Sequence, residues 1–326
     1  MTAAGAGDAA NAAPELVAVL AGKDGHTTTI GHIAVSPDGR LIASCAFDGT
    51  MKLWDMAAAR PAPVALPKAS RCPSFSSDGR SLVTLGVEDT VALWDVKTRA
   101  VQWTDSSDNV PLATAYSSDG RWVAVSCQRG TIRLYEAATG TLTRELKAQG
   151  RDAYGVAFSP DAQMLASTET DGCVRLWVVP TGKLVGKLIV GPVGHEVRGV
   201  AFSPDGKSLV TTSNGGLVKL WNPDTKEKVR VLQEDVLNAY SMLPAWRADG
   251  GLVAWSQPGN PGAVLLSDPN VELRTTTLRA FPPNVTIHGF TFAPDGRHVL
   301  IGGSTGEIYV LRLAPRGKVF ELPPKD

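Results

Sequence analysis

Net charge is the first thing this sequence lacks: 32 Lys and Arg balance 32 Asp and Glu over 326 residues, and the isoelectric point is about 7.0. Without a positive field there is nothing general to attract a nucleic-acid backbone or an anionic membrane, so neither is expected as a partner. Long hydrophobic runs are missing too. The longest apolar stretches are strand-sized, too short for a membrane-crossing helix. The opening MTAAGAGDAANAAPE has no cationic start and no true apolar segment, and it carries Asp8, unlike a secretory signal peptide. Residues 1–13 read instead as a disordered Ala/Gly-rich tail. Cysteine is scarce. Cys45, Cys72, Cys127 and Cys173 are too few for a disulfide framework, and buried single thiols are the expectation. These lacks together point to a cytoplasmic protein.

Catalytic signatures are also missing. There is no Gly-rich phosphate loop, no HExxH, no GxSxG and no paired-cysteine metal signature. The five histidines, His26, His32, His195, His288 and His298, are scattered along the chain. No catalytic residue, metal or cofactor is therefore expected.

What the chain does have is a period. Asp recurs at 38, 78, 119, 161, 205, 249 and 295, at intervals of 40 to 46 residues. Each copy precedes by 16 or 17 residues a strand-like segment marked by Trp54, Trp94, Tyr135, Trp177, Trp221, Leu265 or Leu266, and Leu311. Repeats of that length mean stacked or radially arranged units, which favours binding over catalysis. In the fifth copy, residues 197–203 alternate and end in Pro204-Asp205-Gly206, a tight turn in which Pro presets φ and Gly takes the positive-φ place. Residues 208–213, 217–222 and 229–232 read as three further strands, the first two joined by the hairpin signal Asn214-Gly215-Gly216. Such a four-stranded antiparallel sheet cannot bury both faces alone, so neighbours must stack on it. Four residues before each Asp stand Ala34, Ser74, Ala115, Ala157, Ala201, Ala245 and Thr291, all small. The next residue is Val35, Phe75, Tyr116, Phe158, Phe202, Trp246 or Phe292, mostly large. A crowded centre on one side of an inner strand and a gap between sheets on the other require that alternation. The repeated Asp side chains read as turn residues rather than an acidic active site.

FSPDG, the dipeptides Trp54-Asp55 and Trp94-Asp95, and Gly194-His195 ahead of GVAFSPDG resemble the WD40-repeat β-propeller family, from about Pro14 to the end. The resemblance implies an all-β, seven-bladed propeller over residues 14–326, each blade a four-stranded antiparallel sheet. It also implies a buried His–Ser/Thr–Asp–Trp network within a blade. The first copy offers Ser44, Asp48 and Trp54 with His26 across a longer loop. The fourth offers Ser167, Asp171 and Trp177, and the fifth His195, Thr211 and Trp221 with Gly215 in the Asp place. None is read as complete, so apolar stacking is expected to carry the blades. The sixth copy, with its QPGNPG stretch and no Trp at the usual place, is expected to be the least regular. Residues 15–20 (ELVAVL) and 318–322 (KVFEL) compete for the outer strand of the last blade; the N-terminal one is favoured, with the C-terminal one either its rival or an edge addition.

In this resemblance the innermost strands begin at the top face, beside the central channel. The residues seven before each Asp are then displayed there: Gly31, Arg71, Leu112, Tyr154, Arg198, Met242 and His288, with Tyr240 and the loop residue Phe47 nearby. Inner-strand positions otherwise hold Ala, Ser and Thr without convergent carboxylates or histidines, which argues against a channel enzyme. Arg, Tyr, Met and Phe dominate interface hot spots. The reading is a monomeric, non-catalytic scaffold that binds a protein or peptide on this face, one bearing acidic or phosphorylated groups if the arginines lead. Local pairing of Arg198 with Glu196 or Asp152 is the competing reading. A regulatory propeller module of a larger bacterial signalling protein is the alternative function.

Overall fold

The computed structural model describes residues 14–21, 25–58, 64–66, 69–86, 88–106, 108–148, 152–192, 194–234, 243–257, 263–271, 275–278, 282 and 285–313. Met242, Tyr240, most of the QPGNPG stretch and residues 318–322 lie outside them. Among the described residues, twenty-eight strands form seven antiparallel sheets of four. Blade 1 holds Ile30–Val35, Leu41–Ala46, Met51–Asp55 and Val64–Leu66. Blades 2 to 6 follow at 69–106, 111–147, 153–189, 197–233 and 245–278, and blade 7 starts at 287. Each innermost strand touches that of the next blade, and that of blade 7 touches that of blade 1, so the ring closes. The outer strand of blade 7 is the N-terminal Glu15–Leu20, antiparallel to Ile308–Arg312 with Glu15 opposite Arg312 and Leu20 opposite Ile308. Both ends of the described chain are thus held in one sheet.

The turn ending each innermost strand shows why the Asp recurs. In blades 1 to 5 a Ser hydroxyl donates to the Asp two residues on, at 2.5–2.6 Å, as in Ser36 to Asp38. The same carboxylate accepts the backbone N–H two residues further, at 3.0–3.1 Å. The Ser oxygen in turn accepts the N–H that opens the second strand, at 2.8–2.9 Å. The hydroxyl bond comes first among the causes that hold Asp38, Asp78, Asp161 and Asp205 below the usual carboxylate range. Blade 6 replaces Ser by Arg247, whose Nε and Nη2 donate to the two carboxylate oxygens of Asp249, at 2.7 and 2.8 Å. In blade 4, Ala162 takes the Gly position at φ +56°.

The core is a set of layers between blades. The large inner-strand residues pack into them: Phe75 against blade 1, Tyr116 against blade 2, and so on to Phe292 against blade 6. Between blades 7 and 1 that residue is only Val35. Blade 6 departs from the sequence expectation in a specific way. Opposite Val253, where Trp54 faces Ile42 in blade 1, stands Ser267 rather than Leu265 or Leu266. The connection from second to third strand is two residues longer there, which displaces the register. Trp255 occupies the place of Ser44, so the large and small residues have exchanged strands, and its indole donates to Gln233 Oε1 of blade 5 at 2.8 Å.

Candidate functional site

The sequence places one residue of each repeat at the channel mouth, and the strand pairing explains how it is displayed. In blade 1, Ile30 pairs with Ala46 but His32 with Cys45, leaving Gly31 unopposed. Leu112, Arg198 and His288 are skipped in the same way in blades 3, 5 and 7, and blade 4 skips between Ala153 and Val156, around Tyr154. A bulge adds one residue to one strand and re-aims its neighbours. Blade 2 is more distorted: its pairing shifts on both sides of Arg71, and Cys72 adopts φ +50° ahead of Pro73. A residue before proline avoids the α regions, so this is a strained point on the channel wall.

Leu112, Tyr154 and Arg198 line one cavity of about 250 Å³ at the centre of the ring. The Arg198 guanidinium lies 3.9 Å from the Tyr154 ring centroid and pairs with Glu196, the local partner weighed from the sequence. Burial raises the Tyr154 pKa above its ordinary value. Across the mouth, Phe47 is 69 % exposed and meets His288 edge-on at 5.7 Å. Its ring packs over Gly31, where an added Cβ would come within 3.0 Å. Arg71 is exposed. Tyr154 and Arg198 therefore form one pair and Phe47 and His288 another, with Arg71 apart from both.

The same cavity holds two residues that were not singled out from the sequence. His32 and Cys72 both line it, with His32 Nε2 3.8 Å from Cys72 Sγ. Period-two reasoning missed them because the bulge turns two successive residues toward the centre. Burial and then the Arg71 charge lower the His32 pKa to about 4, while burial raises the Cys45 thiol to about 12 and pushes Cys72 higher still. Imidazole and thiols are neutral near pH 7, and the Cys72 thiol donates to Leu112 O at 3.1 Å. All four cysteines are free and buried. Among the described residues, no group of three or more His, Cys, Asp or Glu side chains is placed to hold a metal.

The polar network behind the site is complete in blade 1. The Trp54 indole donates to Ser44 Oγ at 2.8 Å, and Ser44 Oγ lies 2.8 Å from His26 Nε2. His26 Nδ1 is 3.0 Å from Thr50 Oγ1, whose hydroxyl donates to Asp48 at 2.6 Å. With Thr50 donating to the carboxylate, Nδ1 carries the hydrogen and Nε2 accepts from Ser44, so every polar group in the chain is used. Burial lowers the His26 pKa against the pull of Asp48. Burial opposes ionisation of Asp48, but bonds from Thr50 and Thr27 outweigh it and hold that carboxyl at about 2.

The other blades keep parts of the network. Trp177 donates to Ser167 at 2.9 Å and Trp221 to Thr211 at 3.0 Å. Asp171 instead pairs with Arg175, 2 % exposed, which also holds buried Glu169 at 2.9 Å. His195 is half-buried, and its backbone N–H donates to Pro192 O at 3.0 Å. Sequence reading missed Thr84, which accepts from Trp94 at 2.9 Å at the same ten-residue spacing as Ser44 and Trp54. It also missed Thr50, the link to the acid.

Comparison with known proteins gives this architecture a family. The model for "WD domain, G-beta repeat" matches residues 15–55, 140–178 and 182–222. Each match runs from an outer strand through three strands of the next blade, the stagger that makes the N-terminal strand close the ring. WD repeat-containing protein 82 of Drosophila melanogaster is 27% identical over 183 residues, covering 50% of this chain and 55% of that protein. Small ribosomal subunit protein RACK1 of Candida albicans is 26% identical over 165 residues, 48% of this chain and 39% of the relative. Apoptotic protease-activating factor 1 of Danio rerio is 25% identical over 160 residues, 49% of this chain but 13% of the relative. The matched region spans about half the length of these relatives or less. Three repeats of this chain thus match the WD-domain model within a closed ring of seven four-stranded blades, a β-propeller.

Proposed function

We propose that this propeller is a non-catalytic protein-interaction scaffold that binds a protein or peptide on its top face. The observation that carries this reading is the channel mouth, where register shifts in the inner strands fall at Leu112, Tyr154, Arg198 and His288, beside exposed Phe47. Aromatic and guanidinium groups bury much area while keeping a polar handle, and little ordering is needed when they are already fixed. Glu196 balances Arg198, so a partner meets the stacked Tyr154–Arg198 surface rather than a free cation. That favours a loop of mixed apolar and polar residues over a strongly acidic one. The similarity to WD-repeat proteins supports scaffolding and leaves the partner open. The test is affinity capture from the native lysate with the wild type beside a folded variant carrying Arg71→Ala, Tyr154→Ala and Arg198→Ala. A partner kept by the wild type and lost by the variant supports the top face. Equal recovery removes it.

A further inference from the structure

Two segments of this sequence suit the outer slot of blade 7, and Glu15–Leu20 holds it. Its free edge differs from the other outer strands. Those of blades 3, 4 and 5 carry Arg144, Glu145 and Lys147, then Lys183 and Lys187, then Lys228 and Arg230, and that of blade 2 carries Asp105. Those of blades 1 and 6 are only three and four residues long. Charge and shortness are the usual devices against pairing with a further strand. The N-terminal strand is six residues long and carries no charge beyond its first residue. Its one charge, Glu15, sits at its foot and pairs with Arg312 at 3.1 Å, while Leu16, Val17 and Val19 are 47, 37 and 45% exposed.

Beside this edge runs a cleft of about 590 Å³ between blades 7 and 1, lined by Val17, Val35, Ile42, Pro294 and Val310. It lies where Val35 replaces the aromatic residue of the other blades. Arg312 also lines it, one residue before the described chain ends at Leu313. Thirteen residues follow in the sequence, APRGKVFELPPKD.

We propose that this open edge and the seam cleft are the docking surface for the chain's own residues 318–322, KVFEL, added as a fifth strand of blade 7. In an extended strand Phe320 and Leu322 share one face, toward the cleft, and Glu321 takes the other. Residues 314–317 span up to about 13 Å, and passing beneath the N-terminal strand to its far edge needs about 10 Å, two strand spacings. Tethering makes so short a strand sufficient. A linker of this length supplies an effective concentration in the millimolar range, whereas a separate partner or a second copy would need about 1,000 Å² of contact.

Hydrogen exchange on the full chain tests this, comparing wild type with Phe320→Asp/Leu322→Asp. The amides of residues 16–20 that do not bond to Ile308–Arg312 should be protected in the wild type and exchange at least about tenfold faster in the variant. Amides of residues 308–312 should not change, which reports that the blade is intact. Equal exchange in both proteins overturns the proposal. So does protection that rises with protein concentration, since it would assign the edge to a second copy.

Discussion

Blade 1 and blade 6 reach the same four-stranded form with their tryptophans on different strands. In blade 1, Trp54 on the third strand feeds a continuous run of hydrogen bonds through Ser44, His26 and Thr50 to Asp48. In blade 6, Trp255 stands on the second strand with Ser267 in the tryptophan place, and its indole reaches across to Gln233 of blade 5. What is held constant is the volume filling the layer between blades, together with a partner for the indole N–H. The strand that supplies them is free to vary. Blade 1 adds directionality, since each member of its network fixes the next.

The largest effect that would break the comparison is Trp255→Ala. Removing a fully buried indole should cost about 3–5 kcal/mol in chemical denaturation, because the layer shared with blade 5 cannot collapse. A loss below 1 kcal/mol would mean that blade 6 contributes little. Acid should separate the two blades next, because His26 and His32 lie in or just before blade 1 and blade 6 has no histidine. Both folded-state values lie below the unfolded one, so the stability tied to neutral imidazole is present above about pH 6.5 and fades as pH falls toward the folded value, about 4 for His32. For His32 the full loss is about 3 kcal/mol, and hydrogen exchange at pH 5 should show blade 1 losing protection before blade 6. His32→Gln should flatten that response.

Ser44→Ala should cost about 1–3 kcal/mol, because it leaves a buried indole N–H and an imidazole nitrogen without their shared partner. Trp54→Phe should recover little of that loss in the double variant if the network acts as a unit. The smallest effect should be a gain. Ala162→Gly relieves the positive φ in the blade 4 turn and should raise stability by about 0.5 kcal/mol after glycine's own entropic cost.

Much of the ring was legible because local chemistry repeats it. The Asp period, the proline-led turns and the small–large pair along each inner strand each report one unavoidable contact. Closure by Glu15–Leu20 was favoured only through the family resemblance, because residues 318–322 offered an equally strand-like run. The inversion in blade 6 was hidden because two extra residues between its second and third strands shifted the register, so counting forward from Asp249 reached Leu265 instead of Ser267. His32 and Cys72 were hidden for another reason. A bulge turns neighbours in sequence toward the same channel, and a rule of alternating faces assigns one of them outward. The blade 1 network was legible except for Thr50, whose hydroxyl links His26 Nδ1 at 3.0 Å to Asp48 at 2.6 Å, where the direct approach is 3.5 Å. Arg198 was legible as a surface residue, yet its pairing with Glu196 changes the partner chemistry it offers.

The most direct measurement contrasts the two faces of the ring at equal change in charge. Arg71→Ala/Arg198→Ala alters the channel mouth, and Arg80→Ala/Arg121→Ala alters exposed turn residues on the opposite rim. Both variants, verified as folded by near-UV circular dichroism, would be used beside wild type for affinity capture from the native lysate. A partner lost with the first variant and retained with the second is the predicted result. Retention with the first and loss with the second would contradict a top-face scaffold and move binding to the turn rim.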